Sequence, residues 1–301
     1  EMQARRLLDL FLRYSILEFN ENTNRYILHD LLTDFSLGML NVDEEVNARL
    51  LYAQCYLGAL ITANSLFDHG GHDSLLGLQI FDREWKHIDN SYSWAVKKSK
   101  NNSEALSLVN RFPVVGHLIF PLRLQPRIHL QWLMNGLSAA DSLGKEEDKS
   151  YHLVNLGNVY SKLGQFQEAI NTYEEQLTIV RKLGNRESEG HTLGNLGITF
   201  AQLGNYEKAT ILLEQQLSIT RETGNRRSEG ATLGNLGNIY RILGNIEKAI
   251  TYYEEDLRLA KEVGDRYGEM NSIGSLGVAY ANQNNYEKAM PFFEQQLTLA
   301  H

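Results

Sequence analysis

Few residues in this chain have the types and the spacing that catalytic chemistry requires. Gly144-Lys145 lacks both the earlier glycine and the following Ser or Thr of a phosphate-binding loop, so it cannot cradle phosphates. The sequence contains no His-Glu-x-x-His, Cys-x-x-Cys or Gly-x-Ser-x-Gly motif. We therefore predict that these 301 residues do not form an enzyme, and an enzyme with an unrecognised helical active site is the least favoured hypothesis.

The nearest approach to a metal-ligand pattern is a short polar stretch around two glycines. Asp68, His69, His72 and Asp73 carry carboxylate and imidazole groups that can bind transition metals. All four residues lie in what reads as one loop between two helices, and no second cluster supports them. The polar loop explains these residues better than a metal does, and we predict no metal site.

The elements that must position any site repeat themselves from Lys149 to the end, with a period of 40 residues. The pair Leu156-Gly157 returns three times, and a fixed period in this range is typical of solenoid proteins. Each unit carries two apolar stripes at spacings of three and four residues, which in the second unit are Leu193, Leu196 and Phe200, then Tyr206, Ala209 and Leu213. Each unit is therefore predicted to be a helical hairpin that buries its apolar face against its neighbours.

Glycine and asparagine mark the predicted helix ends. Gly204-Asn205 separates the two stripes of one unit, and Gly224-Asn225 follows the second stripe. Both residue types suit a tight stop followed by a new helix. Gly197 and Ala209 are small where the two helices must approach closely.

The recurring columns Leu-Gly-x-x-Tyr and Ala-x-x-x-Tyr resemble the tetratricopeptide repeat, which is usually 34 residues long. Leucine or isoleucine replaces the family's Trp, no Pro closes the second helix, and the units are six residues longer. This longer form is similar to the repeats of kinesin light chains and of spindle-orientation adaptor proteins. The resemblance implies an all-α, right-handed α-solenoid of helical hairpins.

The same resemblance implies a concave groove that binds a protein or peptide, with the first helix of each hairpin on its inside. The polar residues then expected in or beside the groove are Asn155, Asn158, Lys162, Asn195, Gln202, Asn235, Asn238, Arg241 and Asn282. Asparagine can bond both the N–H and the C=O of an extended peptide. Arg186, Arg226, Arg227 and Arg266 recur before the first helices and could pair with acidic ligand groups. Alternatively, the asparagines and arginines only tie loops to neighbouring helices, and their regular repetition favours that interpretation.

The first 41 residues carry a second resemblance. Ser15–Phe19 and Arg25–Leu28 flank a polar turn and are predicted to form a β-hairpin, between a helix over 2–13 and another from Asp30. This pattern and the triplet Leu28-His29-Asp30 resemble the winged-helix end of bacterial NB-ARC ATPases, which are STAND-type switches. The resemblance implies that His29 senses the β-phosphate of ADP, although only in a parent chain that carries the nucleotide-binding domain.

Together these patterns divide the chain into four segments. We expect a winged-helix remnant over 1–41, a helical linker over 42–102 and a degenerate capping repeat over 103–148. Four tetratricopeptide repeats follow over 149–301, the last of them incomplete. Within the linker, helices are predicted over 43–68 and 74–100, joined by the polar loop.

Composition bounds the partners and the location. The net charge of −8 argues against a nucleic-acid partner. The one cysteine, Cys55, excludes an internal disulfide and fits a reducing cytoplasm. No uninterrupted apolar run reaches the roughly 18 residues that span a bilayer, so no membrane partner is expected.

The favoured function is the protein- or peptide-sensing region of a STAND NTPase. Its partners would be a ligand in the groove and the upstream nucleotide-binding domain of the same chain. ADP or ATP would bind only in that parent, and this chain itself would hold no cofactor. The alternative is a stand-alone tetratricopeptide adaptor without a nucleotide switch.

Overall fold

The computed structural model describes residues 17–20, 25–28 and 41–300. The chain divides after Gly116 into two compact units, 1–116 and 117–301. This division falls inside the range 103–148 that the sequence assigns to one capping repeat. The two units are considered separately below.

The described residues of the first unit include a short antiparallel strand pair. Strand β1, Leu17–Asn20, pairs with β2, Arg25–Leu28, so that Leu17 lies opposite Leu28. Strand β2 has the predicted bounds, and β1 overlaps the predicted strand Ser15–Phe19. The helices expected over 2–13 and from Asp30, together with His29, lie outside the described residues, so the winged-helix interpretation stays a prediction.

Three helices of the first unit pack on one another: α1, Val42–His69; α2, Gly71–Lys98; and α3, Ser103–Val115. The start of α1 is fixed by a capping box, in which Asn41 and Glu44 each accept the other's backbone N–H at 2.9 Å. The predicted loop over 68–73 was wrong, because α1 and α2 are separated by Gly70 alone. Asp68 and His69 therefore end one helix, while His72 and Asp73 begin the next.

Helix α1 is apolar along much of its length. By length and composition it could cross a membrane, since one stretch of it has a mean hydropathy of 1.3. Single polar residues such as Gln54 and Asn64 divide this stretch into shorter apolar runs. Core helices pass the same test, and Leu50, Leu57 and Leu60 of α1 are buried.

The second unit starts with α4, Phe120–Arg123, and α5, Pro126–Ser142. Four helical hairpins follow within residues 146–300: α6, Glu146–Lys162, with α7, Phe166–Lys182; α8, Arg186–Gln202, with α9, Tyr206–Thr223; α10, Arg226–Ile242, with α11, Ile246–Val263; and α12, Arg266–Asn282, with α13, Tyr286–Ala300. The solenoid of helical hairpins predicted from the 40-residue period is confirmed.

The predicted glycine-asparagine helix ends are confirmed as well. Gly204 has a φ of 78° and Gly224 a φ of 70°, a left-handed conformation that glycine adopts without a steric penalty. Asn205 then accepts the backbone N–H of Lys208 at 3.1 Å and caps the next helix. A left-handed glycine followed by a capping Asn or Asp recurs at 184–185, 224–225, 244–245 and 264–265.

Close helix contact and a shared core hold the hairpins together. A Cβ on Gly197 would stand 2.8 Å from Cγ of Leu213, so α8 and α9 approach as closely as glycine allows. Buried side chains from several hairpins, including Tyr173, Leu196 and Leu236, belong to one apolar cluster. Each hairpin therefore hides its apolar face against its neighbours, as expected for a solenoid.

Candidate binding groove

The first helices of successive hairpins line three adjoining pockets. The proximal pocket, of about 270 Å³, is lined by α4–α8 residues that include Asn155, Asn158, Lys162 and Asn195. Ile198 lines both this pocket and the next, so the two adjoin.

The middle pocket, of about 230 Å³, is lined by α8, α9 and α10. Gln202 contributes to it, and Asn235 and Asn238 line both this pocket and the distal pocket. The distal pocket, of about 270 Å³, lies between α10, the end of α11 and α12. The three pockets together are called the groove below. Of the predicted site residues, Arg241 and Asn282 line none of these three pockets.

Asn158 is held by a tyrosine of the second helix. Its Oδ1 accepts the Tyr173 hydroxyl at 2.7 Å and Nδ2 of Asn195 at 3.4 Å. Burial raises the pKa of Tyr173, so the hydroxyl keeps its proton and donates. No partner for Nδ2 of Asn158 exists among residues 41–300, so this side chain offers the proximal pocket hydrogen-bond donors only.

The same arrangement returns two repeats later. Oδ1 of Asn238 accepts the Tyr253 hydroxyl at 2.9 Å, and burial again raises the pKa of that tyrosine. The repeat between them carries Ile198 and Leu213 at these two positions. The groove therefore alternates a fixed amide donor with an apolar surface at a spacing of one repeat.

Not all predicted asparagines are equally available. Nδ2 of Asn155 donates to the backbone carbonyl of Tyr151 at 2.9 Å, which ties the side chain to its own helix. Asn235 forms no side-chain hydrogen bond within the described helices. The expectation that each asparagine offers a free acceptor as well as a donor therefore does not describe Asn158 or Asn238, whose Oδ1 atoms accept a tyrosine hydroxyl.

Three of the four recurring arginines, Arg186, Arg226 and Arg227, form ion pairs within the stack of hairpins. Arg186 pairs with Glu189 at 2.6 Å and also with Glu222. Arg226 pairs with Glu229 of its own helix at 2.8 Å, and Arg227 pairs with Asp265 at the start of the next hairpin at 2.9 Å. These contacts favour the structural alternative for the arginines over ligand binding.

His129 of α5 also lines the proximal pocket, and the repeat pattern gave no signal for it. The ring is buried, and burial together with nearby Lys162 lowers the pKa of His129 to about 4. The imidazole is therefore neutral at neutral pH and presents one donor and one acceptor. Asp256, in the distal pocket, was also missed, although it stands where the other repeats have Gln176, Gln216 and Gln296.

The part of the chain that the structure describes contains no group of three His, Cys, Asp or Glu side chains able to hold a metal ion. His69 and Asp73 approach to 3.8 Å, but they are surface residues one helical turn apart across Gly70.

Comparison with known protein families identifies the same repeat that the sequence and the helical hairpins show. The family model described as a tetratricopeptide repeat matches residues 148–222 and 228–300. Those residues are tetratricopeptide repeats. Such repeats generally serve as scaffolds and not as enzymes, in line with the prediction for this chain. The sequence matches no curated protein.

Solved structures show the same fold at low sequence identity. BtubC (BKLC) from P. vanneervenii has a TM-score of 0.62 at 18% identity, covering 73% of this chain and 91% of its own. The apo form of the quorum sensor NprR from B. thuringiensis has a TM-score of 0.58 at 17% identity, and the match covers 90% of this chain and 69% of NprR. A kinesin light chain from Podosopora anserina, whose own TPR-like repeats are nearly identical to one another, has a TM-score of 0.51 at 20% identity. The match covers 68% of this chain and 95% of that protein.

Proposed function

We propose that the groove binds an extended segment of a protein or peptide. The observation that carries the proposal is the pair of amide groups at Asn158 and Asn238, each turned by a tyrosine so that its donors face the pocket. An extended chain has unpaired backbone carbonyls along its length, and these are the acceptors that such donors bind. A tyrosine-held amide also loses little side-chain freedom on binding, which favours affinity.

The apolar middle pocket supports the same function. Ile198 and Ile242 are large apolar side chains exposed at 38% and 52%, and both line this pocket. A ligand side chain placed there would bury apolar surface on both partners. The ligand expected is thus an extended peptide that presents backbone carbonyls to the two asparagines and an apolar side chain between them.

A displayed library of random dodecapeptides tests this proposal with the whole 301-residue chain as bait. We expect enrichment of a family of peptides, and loss of most of that binding in the Asn158→Ala, Asn238→Ala double variant. Each lost hydrogen bond is worth about 1 kcal/mol, so each substitution is expected to weaken binding roughly fivefold.

The matched control is Asn171→Ala, which removes an exposed asparagine on the second helix α7. Equal binding by the double variant and the control would remove the groove asparagines from the proposal.

A finer proposal is that ligand binding is coupled to a nucleotide switch. It is supported by Leu28-His29-Asp30 and by the neighbouring strand pair at the position expected of a wing. The ligand would have to bind the active state more tightly than the resting state for such coupling to exist. In a parent chain with an upstream phosphate-binding loop, His29→Ala is expected to raise oligomerisation without ligand. A parent without that loop would refute the switch.

The stand-alone adaptor remains the second candidate, and the structural similarity to a kinesin light chain supports it. An adaptor would bind the same peptides whether or not nucleotide is present. Either function fits a cytoplasmic location, which we propose on the basis of the single unpaired cysteine, Cys55.

A further inference from the structure

One position of the 40-residue repeat carries a different type of side chain in the third hairpin. Its position in the second helix holds glutamine in three repeats, Gln176, Gln216 and Gln296, and aspartate in the third, Asp256. The chain therefore places a formal negative charge where its other repeats place a neutral amide. Asp256 is 9% exposed, so this charge lies almost entirely beneath the surface of the distal pocket.

Asp256 is only half satisfied by its own chain. Its Oδ2 accepts the Ser272 hydroxyl at 2.7 Å. No hydrogen-bond donor to Oδ1 is present among the described residues. Gly230 and Gly234 face this carboxylate, and a Cβ on Gly230 would stand 2.8 Å from Oδ1. The two glycines thus leave the carboxylate open toward the pocket, where a side chain would cover it.

The charged neighbours of Asp256 are already paired with other groups. Arg226 on the pocket wall pairs with Glu229, and Arg227 pairs with Asp265. No ion pair to Asp256 occurs within residues 41–300. A buried carboxylate without a cation is costly, and proteins compensate it with a partner or by protonation.

We propose that the distal pocket receives a basic side chain, lysine or arginine, of the polypeptide bound in the groove, with its nitrogen donating to Oδ1 of Asp256. This inference rests on the proposed peptide-binding function and assigns one position of the ligand. The pocket, with about 270 Å³ of space, accommodates such a side chain. Asn235 and Asn271 line it with further polar groups, and Tyr267, exposed at 72%, offers its ring at the edge to the aliphatic stem or to the cation.

The titration of Asp256 agrees with this role. Burial raises the pKa of its carboxyl to about 6, with smaller contributions from the Ser272 hydrogen bond, which lowers it, and from nearby Asp265, which raises it. At pH 7.5 the group is mostly ionised and can bind a cation, whereas at pH 5 it is mostly protonated. Binding of a basic side chain is therefore expected to weaken on acidification through pH 6.

To test this inference, a displayed library of random dodecapeptides is selected for binding to the full chain and, separately, to two variants of it. Asp256→Gln restores the residue of the other three repeats, and Glu254→Gln removes an exposed carboxylate two residues earlier as a matched charge control. We expect wild type and Glu254→Gln to enrich Lys or Arg at one fixed position relative to the groove motif. Asp256→Gln is expected to select related peptides without that preference.

A peptide-side substitution makes the test independent of how the variant folds. Replacing the selected basic residue by Gln should weaken binding to wild-type protein at least tenfold at pH 7.5 and change binding to Asp256→Gln by less than twofold. Peptides that bind without any fixed basic position, or a basic preference that persists in Asp256→Gln, would overturn this inference and leave the groove function standing. Failure of all three proteins to enrich peptides would overturn the groove function, and with it this inference.

Discussion

Replacing Glu229 by Gln should destabilise the solenoid, because Glu229 joins two hairpins through a nearly buried carboxylate. Its side chain is 3% exposed and accepts Arg221 Nε at 2.9 Å and Arg226 Nη1 at 2.8 Å. Hydrogen bonds to a charged group contribute about 1.5–3 kcal/mol each, and Gln retains a weaker acceptor. Both arginine side chains are about half exposed, at 48% and 49%, so they regain water once the charge is lost. We therefore expect a loss of about 2 kcal/mol in the free energy of unfolding.

The repeat supplies its own graded controls. Glu189 occupies the same position one repeat earlier, is 10% exposed and binds Arg181 and Arg186. Glu269, one repeat later, is 21% exposed and its salt bridge to Lys261 is 3.9 Å long. Urea unfolding followed by circular dichroism should therefore rank the losses as Glu229→Gln first, Glu189→Gln second and Glu269→Gln smallest, below about 1 kcal/mol. A Glu269→Gln loss as large as that of Glu229→Gln would refute the reasoning.

The pH dependence of the Glu229→Gln effect is a second check. Burial acts to raise the pKa of Glu229, but hydrogen bonds from Arg221 and Arg226 outweigh it, and the net pKa is lowered. A carboxyl whose pKa is lower in the folded chain stabilises the fold above its unfolded pKa of about 4.3. That stabilisation is lost as pH falls through the folded pKa. The difference between wild type and variant should be full at pH 7 and shrink below pH 4; a constant difference would contradict the ion-pair explanation.

Two further predictions concern packing and titration. Gly237→Ala places a Cβ 2.5 Å from the Tyr253 ring. We therefore expect the free energy of unfolding, measured with urea, to fall by about 1–3 kcal/mol, and near-ultraviolet circular dichroism to show a displaced ring. Unchanged values would show that the helices can separate freely. His129, whose pKa is lowered to about 4 by burial and then by Lys162, should stay neutral at pH 5, as proton NMR of the ring can measure. Because the unfolded pKa is about 6.5, the neutral ring stabilises the fold fully above pH 6.5 and progressively less as pH falls toward 4, and His129→Gln should remove this slope. A ring that titrates near 6.5 would contradict its burial.

Much of the fold was predictable because the same sequence pattern recurs in four units. Helical spacing recurs in all four units and glycine stops in the first three, so the units can be checked against one another. Outside the repeat, the region around Gly70 was predicted as a loop because its residues are polar. Two helices instead meet there at one glycine whose φ is 81°, and their polar residues point to solvent at the helix ends. Composition alone cannot distinguish polar helix ends from a loop.

The candidate groove was predictable in position but not in chemistry. Helical spacing fixes the direction of a side chain, so the sequence could place Asn158 and Asn238 on one face of the first helices, where both line pockets. It could not show that Tyr173 and Tyr253 occupy their carbonyl oxygens, because those bonds depend on how closely the two helices pack. The one signal that was readable and missed is Asp256, the single charged residue in a column of glutamines.

The central claim is that a polypeptide binds against the first helices of the hairpins. The most direct measurement follows side-chain amide resonances by ¹⁵N–¹H NMR while a selected peptide is added to the full chain. The Nδ2 groups of Asn158 and Asn238 should shift together as they donate to the peptide, while Asn171 on the second helix α7 keeps its position. Shifts at Asn171 with none at Asn158 and Asn238 would place the ligand on the opposite face and contradict the account.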